Sequence, residues 1–241
     1  MAELEHFAGA VSAVVARLRA AVARGVAVSN DEFLHEWELT DAAAGILVHL
    51  RHTLPDRLAT WTGVAAVHVY DAPSTVMRGV DDLVERGLVE TTVDGAFLTT
   101  KGREALHALH SITGKVTDEL WGENTAICEA LLPLLRTVVT AAAETGGEAF
   151  GLLYPPYEHE GSSATVMVAG LLEPIHYHRF DAQVSAWRTA GLTPHEAQLL
   201  TGGTLWRVLQ EDTNLRDAAP YSALKPRQRL DLLSGLGSLP G

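Results

Sequence analysis

Apolar residues recur at helical spacing from the start of the chain. Leu4, Phe7, Val11, Val14, Val15, Leu18 and Val22 follow the i, i+3, i+4, i+7 rhythm of one helical face. The spacing predicts a helix over residues 2–24, ended by Gly25. Its apolar stripe needs cover from the rest of the chain or from a second copy. A second apolar helix is predicted through Ala42–Leu50, with Thr40 or Asp41 as N-cap. Pro55 to Thr62 reads as a short helix with an early proline, and Val64–Tyr70 as a β-prone run. Ser74 is the expected N-cap of a helix whose face is Val76, Val80, Leu83 and Val84, with Gly87 in the C′ role. Leu88–Val93 and Ala96–Thr99 flank Asp94-Gly95, a turn-favouring pair that predicts a hairpin. Thr100 is the expected cap of the next helix.

Beyond it the pattern stays helical. Asn124–Glu144 is strongly apolar and closes on Thr145-Gly146-Gly147. Gly151–Ser163 is irregular and reads as a loop. Ile175, Phe180, Val184 and Trp187 mark a helix from Pro174 to Gly191. Thr193-Pro194-His195-Glu196 has the form of a capping box and opens a helix predicted to run on to Leu209. Lys225–Leu236 makes the last one. The expected fold class is mainly α.

Composition narrows the function classes. In 241 residues, 47% are apolar and 20% charged, with one cysteine, Cys128. No internal disulfide is available, which suits a reducing, cytoplasmic setting. The opening Met1-Ala2-Glu3-Leu4-Glu5 is acidic where a secretory leader is basic, and no uninterrupted apolar run approaches the ~20 residues that cross a bilayer. The net charge is −12 and spread evenly: residues 1–116 hold ten Lys/Arg and fifteen Asp/Glu, residues 117–241 eight and fifteen. That speaks against a tight, non-specific nucleic-acid binder, whose affinity comes from basic side chains displacing counterions.

Three motifs stand in a row: Ser74-Thr75-Val76; Val80-Asp81-Asp82-Leu83-Val84-Glu85-Arg86-Gly87-Leu88-Val89; and Leu98-Thr99-Thr100-Lys101-Gly102-Arg103. With helix, helix, helix, hairpin, helix over residues 40–110, this stretch resembles the winged helix of MarR-like transcription regulators. The resemblance covers about residues 1–140. It implies a winged-helix domain over 1–145 with flanking dimerisation helices, and a helical extension of unassigned role over 146–241. It further implies a homodimer that binds DNA and a small-molecule ligand. Ser74, Thr75, Met77 and Arg78 would then face DNA. By the same analogy Trp37, His49 and Trp121 would line the ligand pocket. The hairpin residues Thr91–Ala96 carry no arginine where the family's wing usually does, and Asp71–Asp94 holds two arginines against six acids.

Other chemistries are less well served. The N-terminal half also resembles that of small-molecule O-methyltransferases, but no G-x-G-x-x-G follows for a methyl donor, so no cofactor is expected. His49/His52, His107/His110 and His176/His178 supply two ligands each where zinc wants three or four, so no metal site is expected. No G-x-S-x-G elbow marks a nucleophile, and no catalytic residue is assigned. The most polar cluster is Glu158-His159-Glu160, beside Tyr154 and Tyr157. The leading expectation is a ligand-responsive DNA-binding regulator, more an effector-controlled switch than an enzyme. The first alternative is a winged-helix protein that no longer binds DNA and instead binds or transforms a small molecule; the second is a protein-interaction module.

Overall fold

The computed structural model describes residues 2–50 and 57–241. It is mainly helical, with one small antiparallel sheet. Helix α1 (Ala2–Glu36) runs through Gly25 without a break. A Cβ at Gly25 would lie 2.5 Å from Val116 Cγ1, so the glycine admits a crossing helix instead of ending its own. Next come α2 (Asp41–Leu50), β1 (Ala59–Thr60), α3 (Trp61–Val67), α4 (Pro73–Glu85), β2 (Val89–Thr91), β3 (Gly95–Leu98) and α5 (Thr100–Trp121). The body follows with α6 (Thr125–Ala142), α7 (Glu148–Leu153), α8 (Ala164–Thr189), α9 (Pro194–Leu199), α10 (Gly203–Asp217) and α11 (Pro226–Ser238).

Several boundaries differ from the periodicity reading. The short helix expected at 55–62 falls partly on residues outside those described; its visible part, Ala59–Thr60, is strand β1, paired with β3. The β-prone run Val64–Tyr70 is helix α3 and the turn after it, because Thr60 Oγ1 caps the helix by accepting from Gly63 N. Tertiary context overrides the β-branched composition there. Ala72 precedes α4, with Pro73 at its first turn, so Ser74 lies inside the helix. Thr99, not Thr100, caps α5: its hydroxyl accepts from Gly102 N at 2.9 Å and donates to Gly87 O at 2.7 Å. Gly102 is required by the same corner, since a Cβ would sit 1.9 Å from Leu88 O. Helix α8 starts ten residues before Pro174, and residues 200–202 separate α9 from α10, whose first residue, Gly203, has φ +88°. The capping box at Thr193/Glu196, the end of α4 at Gly87 and the Asp94-Gly95 hairpin are as expected.

Two cores form, and they do not divide at residue 145. The first gathers α1's Val11, Val15 and Leu18 with α6, α8 and α11. The stripe on α1 is therefore covered by the chain's own later helices. The second core joins α2, α3, α4, the sheet and the start of α5 with Ala149, Leu152 and Leu153 of α7 and Tyr177 of α8. The stretch Thr100–Ala142 contains a window apolar enough, by length and composition alone, to cross a membrane. That stretch is interrupted at Gly122–Asn124, and its α6 row (Cys128, Leu131, Leu135, Val138) lies inside the first core.

Candidate functional site

Helix α4 presents two opposed faces. Gly79, Val80 and Leu83 are buried on the side that meets α2. Asp82 pins that contact: its carboxylate accepts from the Thr40 hydroxyl at 2.8 Å and from Arg86 Nε at 2.8 Å. Burial works to raise the Asp82 pKa, but the bonds from Thr40 and Arg86 outweigh it and hold the carboxyl below its ordinary range. The outer face carries Ser74, Met77, Arg78, Asp81, Val84 and Glu85, all exposed. Thr75 is half-buried. Arg78 folds back along the helix, with Nε 3.3 Å from Ser74 O and Nη2 3.3 Å from Thr75 Oγ1. Three of the four residues expected to face DNA are thus on the surface. The face they form holds one arginine against two acids, because Arg86 is turned inward to Asp82 and Glu38.

Trp37, His49 and Trp121 do not share a pocket. Trp121 is fully buried in the first core and donates to Pro240 O at 2.9 Å. Trp37 is half-buried at the end of α1, beside an open depression lined by Glu36, Glu38, Glu85, Arg86 and Lys101. His52, the expected partner of His49, lies outside the described residues. Residues later in the chain meet two of the three positions, Tyr177 at His49 and Pro240 at Trp121.

His49 instead meets His68, in the turn after α3, and Tyr177 of α8. Asp71 Oδ2 lies 2.7 Å from His68 Nδ1, His68 Nε2 3.1 Å from His49 Nδ1, and His49 Nε2 2.8 Å from the Tyr177 hydroxyl. A carboxylate only accepts, so His68 Nδ1 donates to it. In the tautomer with Nδ1 protonated on both rings, His49 Nδ1 donates to His68 Nε2 and the Tyr177 hydroxyl donates to His49 Nε2. Arg19 closes the other end: its Cζ stands 5.6 Å from the Tyr177 ring centroid, and its fork meets Glu173 at 2.9 and 2.7 Å. Burial alone would lower the Arg19 pKa, but Glu173 and Tyr177 outweigh it and the net shift is upward. Beside them His176 is pushed down to about 3, by burial first and then by the Arg19 charge.

Arg19 and Glu173 also form one wall of a crevice between α1, α5, α8 and the segment before α8. Its other polar groups are His110, Thr113, Tyr157, Glu158, His159 and Ser162. The crevice is narrow, with room for the centres of water-sized spheres over only about 30 Å³. His110 Nε2 lies 3.2 Å from Ser162 Oγ, and the His159 ring faces both His107 and His110 at centroid distances of 4.9 and 5.5 Å. Glu158 is held by Arg136 at 2.7 Å, which raises the arginine's pKa. Among the described residues no group of three His, Cys, Asp or Glu is placed to hold a metal ion. Cys128 is buried, and desolvation raises its thiol to about 11. A thiol so placed is a core side chain, not a nucleophile.

Reading along the sequence singled out His49, His110, His159 and the His176-Tyr177-His178 triplet, but not their partners. Arg19, His68, Asp71 and Glu173 carry no motif; folding brings Arg19 to Glu173 across 154 positions. Comparison with protein-family models, curated proteins and solved structures found no match.

Proposed function

We propose that this chain is a ligand-responsive DNA-binding transcription regulator of the MarR-like kind, acting in the cytoplasm as a homodimer. The observation that carries this reading is the order of elements from α2 to α5. Three helices and a hairpin, braced by a short third strand, leave α4 with one face on the surface next to the hairpin, the arrangement a winged helix needs to enter the major groove. Ser74, Met77 and Arg78 are the base- and phosphate-facing residues in this reading, with Thr75 orienting Arg78. Since α1 is covered by its own chain, the second copy would meet the outer row of α10, where Leu205 and Val208 stand exposed one turn apart. Ligand binding would change the spacing of the two α4 helices relative to half-sites about 34 Å apart.

One observation favours the second reading, a winged-helix protein that has left DNA. Asp81 and Glu85 share the outer face with Arg78, and the exposed hairpin tip is Val93-Asp94, with no cation. Phosphates repel such a face unless sequence-specific contacts outweigh the repulsion. Fluorescence polarisation with DNA from the chain's own upstream region separates the two. In the regulator, Arg78→Ala weakens specific binding about tenfold or more, and Asp81→Asn strengthens it. Binding untouched by both substitutions removes α4 as the reading helix.

A further inference from the structure

We propose that Thr145, His178 and Asp217 form a hydroxyl–imidazole–carboxylate line in which Thr145 is a nucleophile toward small activated esters. The three come from separate places: the turn after α6, the middle of α8 and the last residue of α10. His178 Nε2 lies 2.9 Å from Thr145 Oγ1, and His178 Nδ1 lies 2.8 Å from Asp217 Oδ1. The other carboxylate oxygen, Oδ2, takes Arg179 Nη1 at 3.3 Å. His178 is 3% exposed and Asp217 1%, whereas Thr145 is on the surface. A buried base and its orienting acid thus stand behind a hydroxyl that solutes can reach. In the neutral imidazole the carboxylate accepts from Nδ1–H, which leaves the Nε2 lone pair to accept from the Thr145 hydroxyl. That is the order required of a nucleophile, its base and the group that positions the base, and both distances are within hydrogen-bond reach. The Phe150 ring packs perpendicular to the imidazole, at a centroid distance of 5.9 Å, and helps to fix its plane. The line has no part in the reading of α4 and stands or falls without it.

The surroundings of Thr145 set the substrate class. Its own N–H donates to Ala142 O at 3.1 Å, Gly146 N to the same oxygen at 2.8 Å, and Gly147 N to Asp181 Oδ2 at 3.0 Å. The amides nearest the hydroxyl along the chain are therefore committed, and each oxyanion donor withheld costs about 10²–10³ in rate. Amides and alkyl esters need that help; an ester of an acidic alcohol such as a phenol expels its leaving group without it. Glu144 and Glu148, both exposed, flank the turn, and the chain carries −12, so an uncharged ester approaches where an anionic acyl donor is repelled. In the step itself, Thr145 Oγ1 bonds to the ester carbonyl carbon while His178 Nε2 takes the hydroxyl proton. The tetrahedral adduct then breaks its bond to the alcohol oxygen, His178 passes the proton to that leaving oxygen, and the acyl group stays on Thr145 as an ester. Attack of water by the same proton path releases the free acid and restores the threonine. Deacylation must expel the threonine oxygen, a poorer leaving group than a phenol, so acyl-Thr145 accumulates.

The probe is p-nitrophenyl acetate, mixed with the full chain, and mass spectrometry of the digested protein locates the acetyl group. Thr145 should be labelled about a hundredfold faster than Thr204, an exposed threonine near the start of α10. Equal labelling of the two threonines overturns the proposal, and that comparison needs no variant. Thr145→Ser keeps the hydroxyl and should still be labelled at position 145; loss of the label there overturns the nucleophile. His178→Gln, folded by circular dichroism, should label Thr145 at least about tenfold more slowly. An unchanged rate in that variant overturns the role of the base, and if it does not fold, the ratio of Thr145 to Thr204 decides. Asp217 is a positioning residue that acts through His178, so its readout is the ring itself. Nitrogen NMR shifts should show the neutral His178 ring with its proton on Nδ1 in the wild-type chain and on Nε2 in Asp217→Asn. A neutral wild-type ring protonated on Nε2 overturns the line, and a proton that stays on Nδ1 in Asp217→Asn removes the positioning role of the carboxylate.

Discussion

At the scale of single residues, Gly25 and His176 make opposite uses of a crowded neighbourhood. Glycine inside a helix gives up about 1 kcal/mol relative to alanine. At position 25 that order reverses, because the added methyl would meet Val116, a stiff and buried side chain, at 2.5 Å. Gly25→Ala should therefore destabilise by about 1–3 kcal/mol in urea unfolding, where propensity alone gives a gain. His176 is neutral in the folded state, its pKa pushed from 6.5 to about 3 by burial and by Arg19. The unfolded chain takes up a proton below 6.5 and the folded one does not, so this residue's contribution is fully present above that value and is lost as the pH falls toward 3. Between about pH 7 and about pH 5 the loss attributable to His176 is about 2 kcal/mol. Unfolding of His176→Gln across the same pH range should be flatter by that amount; an equal slope would show that the ring is solvated.

At the scale of elements, caps and corners decide where periodicity alone misplaces a boundary. Thr99 joins the end of α4 to the start of α5, through Gly87 O and Gly102 N, whereas among the described residues the Thr100 hydroxyl meets only Arg103 at 3.4 Å. Thr99→Ala should cost about 1–2 kcal/mol and Thr100→Ala less than about 0.5 kcal/mol in the same unfolding assay. The elements legible in the sequence were those with a local signal: the apolar row of α4, the Asp94-Gly95 hairpin, the Thr193 capping box. The mis-read ones depend on distant partners. Strand β1 exists because Ala59 and Thr60 pair with β3, some 35 positions on, and α1 continues past Gly25 because α5 lies against it. The crevice was half legible: His110 stood out in an i, i+3 histidine pair and His159 in the most polar cluster, while no motif marks Arg19 or Glu173.

At the scale of the whole molecule, the later helices do two things at once. They cover the stripe of α1, and through Tyr177 and α7 they reach into the core that supports α4. The head and the body are thus joined by apolar packing and by a line of hydrogen bonds through Tyr177, His49, His68 and Asp71. What the outer face of α4 does is the central question, and its charges make the answer measurable. The direct test is polarisation of labelled upstream DNA with the full chain over a salt series from low to physiological ionic strength. For a dimer touching on the order of four phosphates, log affinity should fall against log salt with a slope of about −3 or steeper, and upstream DNA should outcompete generic DNA. Negligible binding at the lowest salt, or a flat salt dependence with no preference between the two DNAs, would contradict a DNA-reading role for α4.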